Sequence, residues 1–152
     1  MKLLYLAFLL FALQTVVLSQ ITLSLPSKTL PEWSRVLTLD DNSIVELNND
    51  YVMFGSDNTA RVRFRWSYVK SQKLTDDIKY KRILQETAYD CRSAKYYNYE
   101  TKWFDGDEKL VQTVNAKKDE EWQKITGSTR VTLYTAACKL IELRKREPVT
   151  ER

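Results

Sequence analysis

Between Thr59 and Val69 the chain alternates without a break, with Val62, Phe64, Trp66 and Tyr68 on one parity and Arg61, Arg63, Arg65 and Ser67 on the other. Successive side chains of a strand point to opposite faces, so this segment buries its apolar parity only as a half-covered strand with its arginines turned the other way. A helix would scatter both sets around its surface. The chain is therefore committed to a sheet with two chemically different faces, and its remaining residues must supply partner strands and a cover for the aromatic face.

Partner strands are legible on both sides. Trp33 to Leu39 reads as a strand, Asp40-Asp41-Asn42 as a turn, and Ser43 to Leu47 as a second short strand ending at Asn48-Asn49-Asp50. Lys79 to Cys91 and Lys95 to Phe104 continue the alternation, separated by Arg92-Ser93-Ala94, a gap short enough for a hairpin. In the second of these, Tyr97, Tyr99 and Trp103 share a parity. Asp105-Gly106-Asp107 is the strongest turn signal, and Lys109 to Asn115 reads as the next antiparallel strand. Ala116 to Glu121 reads as a charged loop, and Trp122 to Ile125 as a short strand or an anchor. After Gly127 the period changes: Val131, Leu133, Tyr134, Ala137, Cys138, Leu140 and Ile141 recur at threes and fours. That spacing predicts a helix with Ser128 as N-cap, cations at its C-terminal end where the dipole favours them, and Pro148 as its stop. The expected fold class is α+β, a single antiparallel β-sheet with the C-terminal helix laid across its aromatic face.

Composition narrows the chemistry. The 152 residues contain 24 basic and 20 acidic side chains, a net charge of +4, which is a mild excess rather than the basic field of a nucleic-acid binder. Histidine is absent, which removes the commonest general base and metal ligand. The adjacent pairs Asp40-Asp41, Asp76-Asp77 and Glu120-Glu121 would point to opposite faces of a strand, so none makes an acid/base dyad. No enzyme, metal or cofactor is expected. Asp105, Asp107 and Glu108 lack the spaced oxygen ligands of a calcium loop.

The N-terminus reads as a signal peptide: Met1-Lys2, an apolar run from Leu3 to Leu13, then Val17 and Ser19 at −3 and −1 of a cut that leaves Gln20 first. The charge-free stretch is shorter than the roughly 20 residues of a spanning helix. No cysteine precedes Cys91, which speaks against a lipoprotein anchor, so the expected product is exported without stable membrane insertion, to the periplasm, the cell surface or the medium. The expected divisions are residues 1–19 signal peptide, 20–31 extended leader, 32–146 domain and 147–152 tail. Cys91 and Cys138 are an even count in an oxidising compartment, which favours one disulfide over two buried thiols. Cys91 ends a strand and Cys138 lies on the apolar side of the helix, so the bond would staple helix to sheet.

At this point the residues resemble a family. Trp33, the strand Phe64-Arg65-Trp66-Ser67-Tyr68, the run Glu86-Thr87-Ala88-Tyr89-Asp90-Cys91 followed by Lys95-Tyr96-Tyr97, and a late Trp122 before a helix containing Ala137-Cys138 are similar to the surface-adhesin protein E-like family of Gram-negative bacteria. The resemblance implies an antiparallel sheet of about six strands, a helix tethered by the disulfide, and binding of host extracellular-matrix or plasma proteins. Two readings from other classes stand beside it: a periplasmic structural or stress-related protein without a host ligand, and a small carboxylate-based hydrolase.

The candidate binding ridge is Arg61, Arg63 and Arg65, joined by Lys81 or Lys95 from neighbouring strands, which would hold acidic glycans or anionic protein surfaces in a salt-sensitive way. The blander reading is a solvated strand face balanced by carboxylates across the sheet. Replacing all three arginines with Gln is expected to move stability by no more than about 0.5 kcal/mol if they sit in solvent. Tyr96, Tyr97, Tyr99, Trp103 and Phe104 read as core and cross-strand pairs rather than a base-stacking platform, so no nucleic-acid partner is expected. The oligomeric state is open, with a dimer among the options.

Overall fold

A computed structural model describes residues 30–55, 59–117 and 121–146. The signal peptide, all of the leader before Leu30, and the tail with Pro148 lie outside the described residues. The elements are β1 (Trp33–Thr38), β2 (Ile44–Phe54), β3 (Thr59–Lys73), β4 (Lys79–Asp90), β5 (Lys95–Phe104), β6 (Leu110–Asn115), β7 (Gln123–Lys124) and α1 (Ser128–Arg146). The first six strands pair in sequence order, each antiparallel to the next, and β7 pairs with β5 at Tyr96 and Lys95. Sequence neighbours are thus sheet neighbours as far as β6, as short connections favour.

The alternation in β3 sorts as its chemistry requires. Ala60, Val62 and Phe64 are buried on one face, with Val45, Leu47 and Tyr89 on neighbouring strands. Leu133, Ala137, Leu140 and Ile141 of α1 close over them. Each fully buried Val, Leu or Phe contributes roughly 1.5–3 kcal/mol, so this stripe of side chains is the main support of the fold. The Cys91–Cys138 disulfide joins the end of β4 to α1, with Cα atoms 5.7 Å apart across a sequence separation of 47. Two directional contacts position the helix further: the Tyr134 hydroxyl donates to the Cys91 carbonyl at 2.8 Å, and Arg144 donates to the Asn49 carbonyl through Nε at 3.1 Å and Nη2 at 2.6 Å.

Three local features depart from the sequence expectation, and the turn expected at Asp105-Gly106-Asp107 is present with a geometry of its own. β2 does not end at Asn48-Asn49-Asp50 but runs through them, taking up the extra residues in a bulge between Leu47 and Val52. The Asn49 amide donates to the Pro31 carbonyl and to Ser34 Oγ, both at 2.6 Å, so a residue that signals a turn here pins the entry to β1. β3 extends beyond Val69 to Lys73, opposite β4. The turn after β5 takes its left-handed residue at Glu108 (φ 64°) rather than Gly106, because the Asp105 carboxylate accepts the N–H groups of Asp107 and Lys109, both at 2.9 Å. Ser128 is the first helical residue rather than the cap: Val131 donates to the Gly127 carbonyl, and Gly127 holds φ 79°, which glycine alone adopts without steric cost.

Candidate functional site

Strand register brings the opposite face together from residues far apart in sequence. Arg35, Glu46, Arg65, Leu84 and Lys102 form one cross-strand row from β1 to β5, and Arg63, Glu86 and Glu100 form part of the next. Arg61, Arg63 and Arg65 all lie on this face, turned away from the helix. The three arginines share a face, but their environment is not bare solvent. Arg61 Nη1 donates to Glu86 Oε1 at 2.9 Å and Arg63 Nη2 to Glu86 Oε2 at 3.4 Å, while Arg65 reaches Glu46 Oε2 through Nε at 2.9 Å and Nη2 at 2.8 Å. Each guanidinium also lies over a ring: Arg61 over Tyr99 at 4.1 Å, Arg63 over Tyr51 at 3.8 Å, and Arg65 over Trp33 at 4.4 Å. The planar, weakly hydrated guanidinium is suited to this combined stacking and pairing, and lysine is not.

Glu86 is the node. Its residue is 6% exposed, and it accepts from Arg61, from Arg63 and from the Tyr51 hydroxyl at 2.6 Å. Burial, and then the hydrogen bond to Glu86, hold the Tyr51 hydroxyl above the usual tyrosine range. Two arginines share this single carboxylate, and Glu100, opposite Glu86 in the same row, is paired with Lys102. The three arginine side chains remain 27–31% exposed.

The neighbours expected for the ridge are revised. Lys81 has the wrong parity, and the basic residue in the row of Ser67 is Arg82, stacked on Phe104 at 4.6 Å and ion-paired with Glu108. Lys95 stands opposite Asp90 at the far end of the β4–β5 pair. The aromatic set of β5 divides between faces: a bulge between Asn98 and Glu100 brings Tyr99 beside Tyr97 on the arginine face, while Trp103 pairs across to Ile83 on the helix face and Tyr96 is buried beneath α1. A one-residue bulge breaks the parity that an alternating pattern assigns. Glu46, Glu86, Tyr51 and Trp33 escape sequence reasoning as site residues because only the register shows which arginine each one meets.

The Glu86-to-Cys91 run acquires a structural meaning here. Glu86 anchors the arginine face, Tyr89 fills the helix face, Asp90 organises the following turn, and Cys91 forms the staple. The Asp90 carboxyl is held below its ordinary value by the Ser93 hydroxyl and then by the Ser93 N–H. The sequence profile described as surface-adhesin protein E matches residues 33–139, from the first residue of β1 to the residue after the helix half-cystine. The chain belongs to the surface-adhesin protein E family. Membership implies an exported surface protein of adhesin type. No curated protein matches the chain. Among the described residues no cluster of three or more Cys, Asp or Glu side chains could hold a metal ion, and no helix is long and apolar enough to cross a membrane.

Proposed function

We propose that the chain is a non-enzymatic, exported binding domain that holds anionic surfaces of host extracellular-matrix or plasma proteins, or acidic glycans, on the face carrying Arg61, Arg63 and Arg65. The observation that carries this reading is the sharing of Glu86 by Arg61 and Arg63 in a chain of the adhesin family. Ring stacking and ion pairing fix the direction of each guanidinium before a ligand arrives, which reduces the side-chain ordering cost of binding. A carboxylate or sulfate meeting the outer edges would make charge-assisted hydrogen bonds, and its binding would weaken with salt. The disulfide and helix serve as the scaffold behind this face.

The test is binding of the mature domain to immobilised heparin and to matrix proteins over a salt series. The comparison variants are the triple Arg→Gln at positions 61, 63 and 65 and the triple Arg→Lys, each checked for a native near-ultraviolet spectrum. Binding should be lost in the Gln variant and only partly kept in the Lys variant, which preserves charge but not the planar fork. Equal binding by a folded Gln variant, or binding indifferent to salt, would discard this face as the site.

A further inference from the structure

We propose that the groove between β1 and α1 is a binding site for a long-chain fatty acid, which lays its alkyl chain along the apolar walls and turns its carboxylate to Arg35 and Lys139. The helix does not close fully on the outermost strand, and the opening, about 610 Å³, lies within the roughly 300–1,000 Å³ of small-molecule sites. Its base is the margin of the core, formed by Leu47 and Leu140 at 4% exposure each. Leu30, Val131 and Leu143 line it as well and remain 46–49% exposed. Apolar side chains exposed singly need no explanation, but three that converge on one groove beside the core mark a place that a ligand covers.

Charge selects the ligand. Arg35, the outermost residue of its cross-strand row, borders the groove on the strand side and Lys139 on the helix side, and no carboxylate is among the described lining residues. Neither cation has an ion pair among the described residues, in contrast to Arg61, Arg63 and Arg65. Lys139 belongs to the row Val131, Thr135, Lys139 and Leu143, spaced by four, so cation and apolar side chains share one helix face. Other occupants fit less well. β1 carries a bulge between Arg35 and Leu37 beside a charged residue, and both devices keep an edge from accepting a further strand. The leader from Gln20 to Thr29 carries Lys28 and no acidic residue, so its charge repeats that of the groove. A carboxylate on an alkyl chain meets both demands, with charge-assisted hydrogen bonds at its head and methylenes against the Leu and Val side chains. The proposal does not depend on what the face carrying Arg61, Arg63 and Arg65 binds.

Isothermal titration of the full mature chain with dodecanoate, kept below its micelle concentration, should show one saturable site with a dissociation constant below about 0.1 mM. Decanoate and octanoate should bind about fivefold more weakly per two methylenes removed, less than the roughly fifteenfold of full burial because the groove is open to solvent. Dodecyltrimethylammonium, the same chain with a cationic head, should bind at least about tenfold more weakly than dodecanoate. The double variant Arg35→Glu, Lys139→Glu should invert that preference, and both positions are exposed, so the fold tolerates the change. The triple Arg→Gln variant at positions 61, 63 and 65 should keep dodecanoate binding to within about twofold. Titration followed by amide resonances should move Thr135 and Ala136. No saturable binding, equal binding of the two head groups, a preference unmoved by the double reversal, unmoved resonances at Thr135 and Ala136, or loss of binding in a folded triple variant would each overturn the proposal. Binding that appears only after Ile21, Leu23 and Leu25 are replaced by Ser would make the leader the occupant of the groove and overturn it as well.

Discussion

On the helix side of the sheet, Val62 and Phe64 lie under Leu133, Ala137 and Ile141, whereas one residue along the same strand Arg61, Arg63 and Arg65 turn the other way onto rings and carboxylates. The first face is held by packing, which has no preferred direction, and by one covalent strut. The second is held by directed contacts, in which Glu86 and Glu46 fix where each guanidinium points. The difference teaches a division of labour. A packed face can be sealed with aliphatic side chains, whereas stacked, ion-paired arginines keep polar groups oriented without covering them.

The comparison breaks first at the staple. Replacing Cys91 and Cys138 with Ala should lower stability by about 4 kcal/mol, the chain-entropy value for a loop of this length. Denaturant unfolding measures it. Heparin binding, read well below the unfolding transition, should survive, because the arginine face meets neither cysteine. A cost below about 1 kcal/mol would mean that packing alone seats α1, far outside the 2–5 kcal/mol usual for native disulfides of small secreted domains.

A smaller loss is expected from the opposite face. Glu86→Ala leaves Arg61, Arg63 and the Tyr51 hydroxyl without their shared acceptor, and should cost about 2–3 kcal/mol, less than a fully buried ion pair because the arginines are partly exposed. The same geometry changes the expectation for the triple Arg→Gln variant: it strands a nearly buried carboxylate, so its cost should exceed the 0.5 kcal/mol or so of ordinary surface substitutions. Equal stability of Glu86→Ala and wild type would show the contacts of this face to be supported by water instead.

Much of this was legible before any coordinates. The period of β3, the hairpin between Cys91 and Lys95, the helix after Gly127 and the pairing of the two cysteines follow from alternation, turn chemistry and redox context, all of which act over a few residues or on composition. The arginines were legible as a set for the same reason. Their partners were not. Which carboxylate meets Arg63 depends on the β3–β4 register, and the faces of Tyr97, Tyr99 and Trp103 depend on one bulge in β5, and a single sequence encodes neither locally. Asn48 and Asn49 misled because their side-chain amides, usually turn formers, are used here to satisfy chain entry at β1.

Alkaline pH should strain both faces, and the packed one more. Burial raises Tyr89 beneath α1 well above the usual tyrosine range, and burial and then the neighbouring Tyr80 push Tyr68, in the later part of β3, up to about 12. Tyr51 on the arginine face is also raised. These groups stay neutral in the folded chain while the unfolded chain ionises near the ordinary value of 10.0, so the stability they represent is fully present below that pH and drains away as pH climbs toward 12. Discounted for partial exposure, the loss from Tyr68 is on the order of 1–2 kcal/mol. Thermal melts between these pH values should steepen for wild type, flatten most in Tyr89→Phe, and change least in Tyr51→Phe. The reverse order would place the tighter burial on the arginine face.

The smallest expected effect lies where the two styles of contact meet. Arg144, near the C-terminus of α1, donates twice to the Asn49 carbonyl and reaches Asp50 Oδ1 at 3.2 Å, so a directed, charge-assisted contact closes the packed face two turns beyond the mid-helix disulfide. Arg144→Ala should cost about 1 kcal/mol, since truncating this partly exposed arginine opens the otherwise buried Asn49 carbonyl to water. A double-mutant cycle with the cysteine variant separates two accounts of how α1 is seated. If packing along Leu133, Ala137, Leu140 and Ile141 fixes the helix as one rigid body, the two losses should add to within about 0.5 kcal/mol. A coupling above about 1 kcal/mol would mean that the C-terminal turn docks only after the staple has brought it down, and would make the packed face as dependent on directed contacts as the arginine face is.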